Sequence, residues 1–265
     1  MIKKSLLVAS LLCSTTIAQE YDFYRPQGHR YTPIELDVFN LEDKQNLEKN
    51  CVYNNVISYY SKPFGNRHGR TTNVHETIHG INNYLSNKKR GFRAFYIGYG
   101  KAIWIKEPNI KMTDIIPYIP ESVQGYRYKL YFVSQLKDWN SVGLYPIEEW
   151  TAYIGGAECG VDDYQKGIYQ KTNSDEVSGA LEFSIYCVAL SMTIKEKDNT
   201  YWNEHKNYRN SIMLLLNRSE EVFFSGVDIF KSKKQEKLLY NLQNKTDCKN
   251  MRDFITEYFN GVFLK

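Results

Sequence analysis

The stretch that decides the fold is residues 72–87, which read TNVHETIHGINNYLSN. Thr72 or Asn73 can cap the start of a helix here, and the carboxylate of Glu76 suits the positive end of the helix dipole. Apolar residues recur at helical spacing and form one stripe: Val74, Ile78, Ile81 and Leu85. We therefore predict a helix over residues 72–87 that packs through this stripe.

This helix carries His75 and His79 with Glu76 between them, a His-Glu-x-x-His pattern. Residues four apart on a helix differ by about 40° around its axis, so both imidazoles project from one side. Two neutral imidazoles can bind one Zn²⁺ at about 2.0–2.1 Å. Glu76 lies about 100° from His75, where it can take the proton of a zinc-activated water that attacks a carbonyl. We predict His75 and His79 as ligands of one zinc ion and Glu76 as the general base.

Over residues 73–82 the pattern looks like the zincin superfamily of metallopeptidases. The resemblance implies a zincin-like α+β fold, with a small β-sheet packed on the motif helix and a mainly helical C-terminal lobe. It also implies hydrolysis of peptide bonds. The metzincin subclass would need Gly at position 82 and His at position 85, and this chain has Asn82 and Leu85 instead. That subclass is therefore excluded.

A second segment, residues 146–153 (PIEEWTAY), resembles the Glu-aromatic-x-Ala helix of gluzincins such as anthrax-lethal-factor-like proteases. By that match Glu149 is the third metal ligand. Its helical face also carries small residues, which allows close approach to the motif helix. Other carboxylates and one histidine remain open as rivals for the third ligand: Glu148, Asp162, Asp163, Glu182 and His205.

The resemblance further implies a Tyr, His or Arg that stabilises the oxyanion. Tyr153 lies one turn after Glu149 and is our candidate for this catalytic role. The alternatives belong to one short segment: Tyr126, Arg127 and Tyr128. His68, in a glycine-flanked loop before the motif, is a further candidate for lining the cleft.

The first residues have the pattern of a secretory signal peptide, here residues 1–18. Lys3 and Lys4 form a positive start, a short apolar run follows, and Ala18 is the small residue that a signal peptidase needs. The apolar run is too short to cross a bilayer by itself. We expect a secreted or periplasmic protein without stable membrane insertion.

Removal of residues 1–18 leaves 247 of the 265 residues and lowers the net charge from +4 to +2. A charge this small gives no case for nucleic-acid binding. The four cysteines that remain in the exported chain favour two disulfides, with three possible pairings. These cysteines are Cys51, Cys159, Cys187 and Cys248.

We expect a single domain over residues 19–265, because 247 residues suffice for one large core. A Tyr-, Pro- and Gly-rich arm covers about residues 19–45. Hydrophobic periodicity and turn residues predict the segments that follow. They are a β-hairpin over 92–106, a helix over 126–139, a second helix over about 147–159 and a helical lobe over about 160–265. The second helix begins after Pro146 and is expected to end at Gly155, Gly156 or Gly160.

The leading functional hypothesis is a monomeric, secreted zinc metallopeptidase that acts on a peptide or protein. One alternative is a cell-wall hydrolase that cleaves amide bonds of peptidoglycan peptides. Another is a zincin fold that binds without catalysis. The intact carboxylate of Glu76 argues against a non-catalytic protein, because binding alone has no chemical need for a base there.

Overall fold

A computed structural model describes residues 38–40, 70–98, 101–165, 167, 175–230 and 233–264. These residues are mostly helical and include a small antiparallel sheet, so the coarse α+β prediction is confirmed. The predicted signal peptide, His68, Cys51 and most of the predicted arm lie outside the described residues. The described part of the arm, Val38–Asn40, is strand β1.

Helix α1 (Arg70–Ser86) is the predicted motif helix, and its existence is confirmed. Its predicted start is wrong, because Thr72 and Asn73 lie inside the helix rather than at its cap, and Glu76 lies beyond its first turn. The apolar stripe faces inward: Ile78, Ile81 and Leu85 are buried. Asn82 lies within the same stripe and is fully buried. A buried carboxamide needs hydrogen-bond partners, so this position marks a polar contact inside the packing surface of α1.

The predicted hairpin is also confirmed. Strands β2 (Phe92–Gly98) and β3 (Lys101–Lys106) pair antiparallel, and β1 pairs with the other edge of β3, in the order β1-β3-β2. Side chains alternate between the two faces of the sheet, as strand geometry requires. One face packs through Ala94 and Ala102 against α1, whereas the other face joins the main core through Phe95 and Ile103.

The chain after the hairpin is helical. Residues 128–134 form a π-helix, so the helix predicted over 126–139 is present but divided. The α-helices are α2 (Met112–Ile115), α3 (Leu136–Trp139), α4 (Tyr145–Gln165), α5 (Asp175–Lys197), α6 (Asn199–Glu204), α7 (Lys206–Phe230), α8 (Lys233–Asn244) and α9 (Lys249–Tyr258). Short 3₁₀ turns occupy Ile116–Tyr118, Glu121–Val123 and Thr246–Cys248.

The predicted end of the second helix is wrong. Helix α4 continues through Gly155, Gly156 and Gly160 to Gln165. The reason is tertiary packing: a Cβ at Gly155 would overlap the side chain of Ile78 on α1. Gly155 therefore lets α1 and α4 approach closely instead of ending the helix.

Helix α5 runs through the centre of the core. By length and composition alone it is apolar enough to cross a membrane, but 89% of its apolar window is buried inside the protein. Burial on all sides explains this composition, since a helix in the middle of a core is apolar all round.

The expectation of two disulfides is corrected. Cys159, Cys187 and Cys248 are not bridged, and two disulfides among four cysteines would need at least one bridge within this set of three. Cys187 is fully buried in α5, and Cys248 lies with its Sγ 3.2 Å from Ser122 Oγ. Cys187 behaves as a small core residue, a common role for an unpaired cysteine.

Helix α5 contributes one glycine that the site depends on. A Cβ at Gly179 would overlap the ring of Tyr153 on α4. That ring is buried between Phe183 and His75, so it has little room to move.

We expect Gly179→Ala to lower the free energy of unfolding by about 1–3 kcal/mol, because the added methyl group overfills a packed contact. Urea unfolding followed by circular dichroism measures this loss. Ser178→Ala, at a half-buried neighbour on the same helix, is the matched control and should stay within about 0.5 kcal/mol of the wild type. Equal stability of the two variants would contradict the packing role of Gly179.

Candidate metal centre

The structure brings three predicted ligands together. Helix α1 places His75 Nε2 and His79 Nε2 3.1 Å apart. Helix α4 places Glu149 Oε2 3.8 Å from the first nitrogen and 3.7 Å from the second. Atoms that share one tetrahedral zinc at 2.0–2.1 Å lie about 3.3 Å from one another. The three side chains therefore already have the spacing of a metal-binding set.

The carboxylate of Glu149 is buried and doubly hydrogen-bonded. Tyr145 donates its hydroxyl to Oε1 at 2.6 Å, and Tyr131 donates to Oε2 at 2.9 Å. Burial would raise the pKa of Glu149, but hydrogen bonds with His79 and Tyr145 outweigh burial and lower it to about 2. The carboxylate is therefore ionised at neutral pH, as a metal ligand must be.

Glu148 orients one of the two imidazoles. Its Oε1 lies 3.1 Å from His79 Nδ1, on the side of the ring away from the candidate metal position. A proton on Nδ1 leaves Nε2 with a lone pair toward His75 and Glu149; this tautomer is assigned from the hydrogen-bond network. A carboxylate behind a histidine ligand fixes the ring and raises its basicity.

Asn82 connects this arrangement to the rest of the fold. Its Nδ2 donates to Glu148 Oε1 at 3.2 Å and to Thr151 Oγ1 at 3.1 Å. Its Oδ1 accepts from the backbone N–H of Tyr96 on β2 at 2.7 Å. One buried carboxamide thus joins α1, α4 and the sheet at the level of the candidate site.

The two imidazoles have opposite electrostatic environments. Burial, followed by the neighbouring His79, lowers the pKa of His75 to about 3. Burial would also lower the pKa of His79, but hydrogen bonds with Glu148 and Glu149 raise it to about 10. The pair of carboxylates thus stabilises one positive charge at this point, which a proton or a metal cation can supply.

Glu76 lines the same cleft as the two histidines and is half-buried. Burial raises its pKa above the usual value for a glutamate. A carboxylate with a raised pKa is a stronger base than one in water, which suits the general-base role predicted for this residue.

Tyr153 lies behind His75 rather than on the cleft. Its ring meets the imidazole edge-on with the centroids 4.5 Å apart, and it stacks on Phe183. Its hydroxyl interacts with Tyr131 and Arg127. The catalytic role predicted for Tyr153 stays a prediction. Its position behind His75 indicates that it would act by holding the imidazole of His75 in place.

The alternatives to Tyr153 also lie away from the cleft. Arg127 is buried, and its guanidinium makes ion pairs with Glu182 at 2.9 Å and Asp175 at 2.6 Å. Tyr126 is 67% exposed on a different surface of the protein, and Tyr128 stacks on Phe132.

Among the rivals for the third ligand, Glu148 contacts His79 Nδ1 rather than Nε2, and Glu182 accepts a hydrogen bond from Arg127. Asp162 and Asp163 lie more than three turns further along α4, and His205 packs against Tyr201 outside the cleft. Within the described residues, Glu149 is the carboxylate that converges with both Nε2 atoms.

Sequence reasoning missed three residues of the site, namely Asn82, Tyr131 and Tyr145. Asn82 interrupts an apolar stripe, and that interruption is a detectable signal of a buried hydrogen bond. Tyr145 precedes Glu149 by four residues, so the helix periodicity of α4 places both on one face. Tyr131 has no such signal, because its approach depends on the π-helix.

Searches against family models, curated proteins and solved structures found no match to this chain.

We expect Glu149→Gln to abolish detectable zinc binding, since the amide removes the charged ligand. Glu148→Gln should weaken binding by about 10- to 100-fold, because it removes only the support behind His79. Glu158→Gln, on the same helix but paired with Arg218, is the matched control and should bind like the wild type. Competition with a chromophoric chelator measures the affinities. Full zinc occupancy in Glu149→Gln would transfer the ligand role to one of the rivals.

Proposed function

We propose that this protein is a secreted, zinc-dependent hydrolase of peptide bonds with a gluzincin-like ligand set. The observation that supports it best is the convergence of His75 Nε2, His79 Nε2 and Glu149 Oε2, with Glu76 beside them in one cleft. The cleft has a volume of about 690 Å³, which is enough for several atoms of a peptide on either side of the scissile bond.

The donor set fits zinc. Two imidazole nitrogens and one carboxylate oxygen form a ligand set of catalytic zinc sites, which keep a further position open for water or substrate. Bound zinc would lower the pKa of water and polarise a carbonyl. His79 is held from behind by Glu148, and His75 is held by the ring of Tyr153.

The remaining chemistry belongs to side chains of the cleft. Glu76 takes a proton from the attacking water and delivers it to the amine that leaves. Tyr131 and Tyr145 line the cleft, and both donate their hydroxyls to Glu149. Each hydroxyl has one proton and gives it to the carboxylate, so both tyrosines act on the candidate ligand.

The carboxylate of Glu76 favours a catalytic protein over a zincin fold that only binds. Glu76 lies on the cleft with the ligands, and burial raises its pKa. A binding module would have no use for such a base there. Hydrolysis of cell-wall peptides would use the same centre and differ in its substrate.

We expect Glu76→Gln to lower kcat by about 10²- to 10⁴-fold, the usual contribution of a general base, while the zinc content stays equal to that of the wild type. A quenched-fluorescence peptide library and metal analysis of the purified protein measure the two quantities. Glu121→Gln, at an exposed carboxylate outside the cleft, should retain full activity. Equal turnover by wild type and Glu76→Gln would remove Glu76 from the mechanism.

A further inference from the structure

The cleft beside the candidate centre is lined by two unlike sets of side chains. Apolar and aromatic side chains between the π-helix and the first turn of α4 form an aromatic wall: Trp139, Val142, Leu144 and Tyr145. Other lining residues, from the end of α1 to the start of β2, are polar or charged: Asn83, Asn87, Lys88 and Arg93.

The aromatic wall is organised around a stacked pair. The rings of Trp139 and Tyr145 lie parallel, 4.2 Å apart with an interplanar angle of 7°. Tyr145 is buried, whereas Trp139 is still 37% exposed. Since one face of the indole is covered by Tyr145, its exposed area lies on the other face and the edges. Trp139 also lines the cleft, where its indole offers a large and rigid apolar contact area.

This pair is tied directly to the candidate metal ligand. Tyr145 stacks on Trp139 with its ring and donates its hydroxyl to Glu149 Oε1 at 2.6 Å. The indole therefore lies one side chain away from the candidate metal ligand. A group bound against it would belong to the substrate residue next to the bond that is cleaved.

The sheet edge beside the cleft is closed to a substrate backbone at two positions. The backbone N–H of Ala94 donates to Ser86 Oγ at 3.0 Å, and that of Tyr96 donates to Asn82 Oδ1 at 2.7 Å. Because α1 occupies these donors, a peptide cannot pair with them as an added strand. More of the discrimination between substrates then falls on contacts with side chains.

We infer that Trp139 is a specificity-determining residue that binds an aromatic side chain of a peptide substrate, next to the scissile bond. This inference rests on the proposed function for the position of that bond. The incoming ring extends the Trp139–Tyr145 stack. Aromatic contacts of this kind are worth about 0.5–1.5 kcal/mol beyond the area that they bury.

The test uses blocked glycine pentapeptides with a single central Phe or Ala, titrated calorimetrically into the full-length zinc-loaded chain. All proteins carry Glu76→Gln so that the peptide survives. With Trp139 present, we expect the Phe peptide to bind about tenfold more tightly than the Ala peptide. In Trp139→Ala this ratio should fall to near one, and in Trp139→Phe it should be intermediate. Tyr164→Ala, at another exposed aromatic residue outside the cleft, should leave it unchanged.

Zinc content and circular dichroism of each variant show whether the centre and the fold are intact. An unchanged Phe-to-Ala ratio in an intact Trp139→Ala protein would overturn the inference. Tighter binding of an N-acetylglucosamine tetramer than of the Phe peptide, lost in Trp139→Ala, would also overturn it, because Trp139 would then bind a sugar rather than an aromatic side chain. Failure of the proposed function is separate: the zinc-loaded wild type would then cleave no peptide, while the calorimetric ratio still reports on Trp139.

Discussion

The structure depends on keeping one carboxylate, that of Glu149, ionised inside the protein. Burial of an unpaired charge costs several kcal/mol, so such a group persists only where its surroundings compensate for lost water. Two tyrosine hydroxyls and two imidazoles surround this carboxylate. They come from the π-helix, the first turn of α4 and helix α1. A shift of any one of these elements would remove a partner from the buried charge, which favours their present relative positions.

The close crossing of α1 and α4 brings the residues of this arrangement together. Gly155 lets the side chain of Ile78 approach α4, and Gly156 lies against the backbone oxygen of Thr71. Asn82 then bonds both Glu148 and Thr151 across the same interface. Apolar contact alone would let two helices slide, whereas these directional bonds fix the register between them. The fixed register places Glu149 against two histidines of the neighbouring helix.

The sequence allows local features to be predicted well and contacts between distant segments poorly. The motif helix and the hairpin follow from periodicity and turn residues, which act over a few positions. Gly155 was predicted as one possible end of α4 because glycine often ends helices, but its role is set by Ile78 on α1, 77 residues earlier in the chain. Glu149 was predicted as a metal ligand from the resemblance of a short motif. Tyr131 was not predicted, because an irregular π-helix brings its hydroxyl to Glu149 and no spacing rule predicts that approach.

In the proposed function, Tyr145 would serve both the aromatic wall and the candidate metal ligand. The candidate ligands lie on long helices packed into the core, whereas Trp139 ends a four-residue helix at the surface. A change at Trp139 alters what the wall contacts without removing any hydrogen bond to Glu149. A change at Tyr145 cannot be so limited, because its ring supports the indole and its hydroxyl satisfies the buried carboxylate. Under the proposed function, specificity can therefore change at Trp139, while Tyr145 is constrained by its hydrogen bond to Glu149.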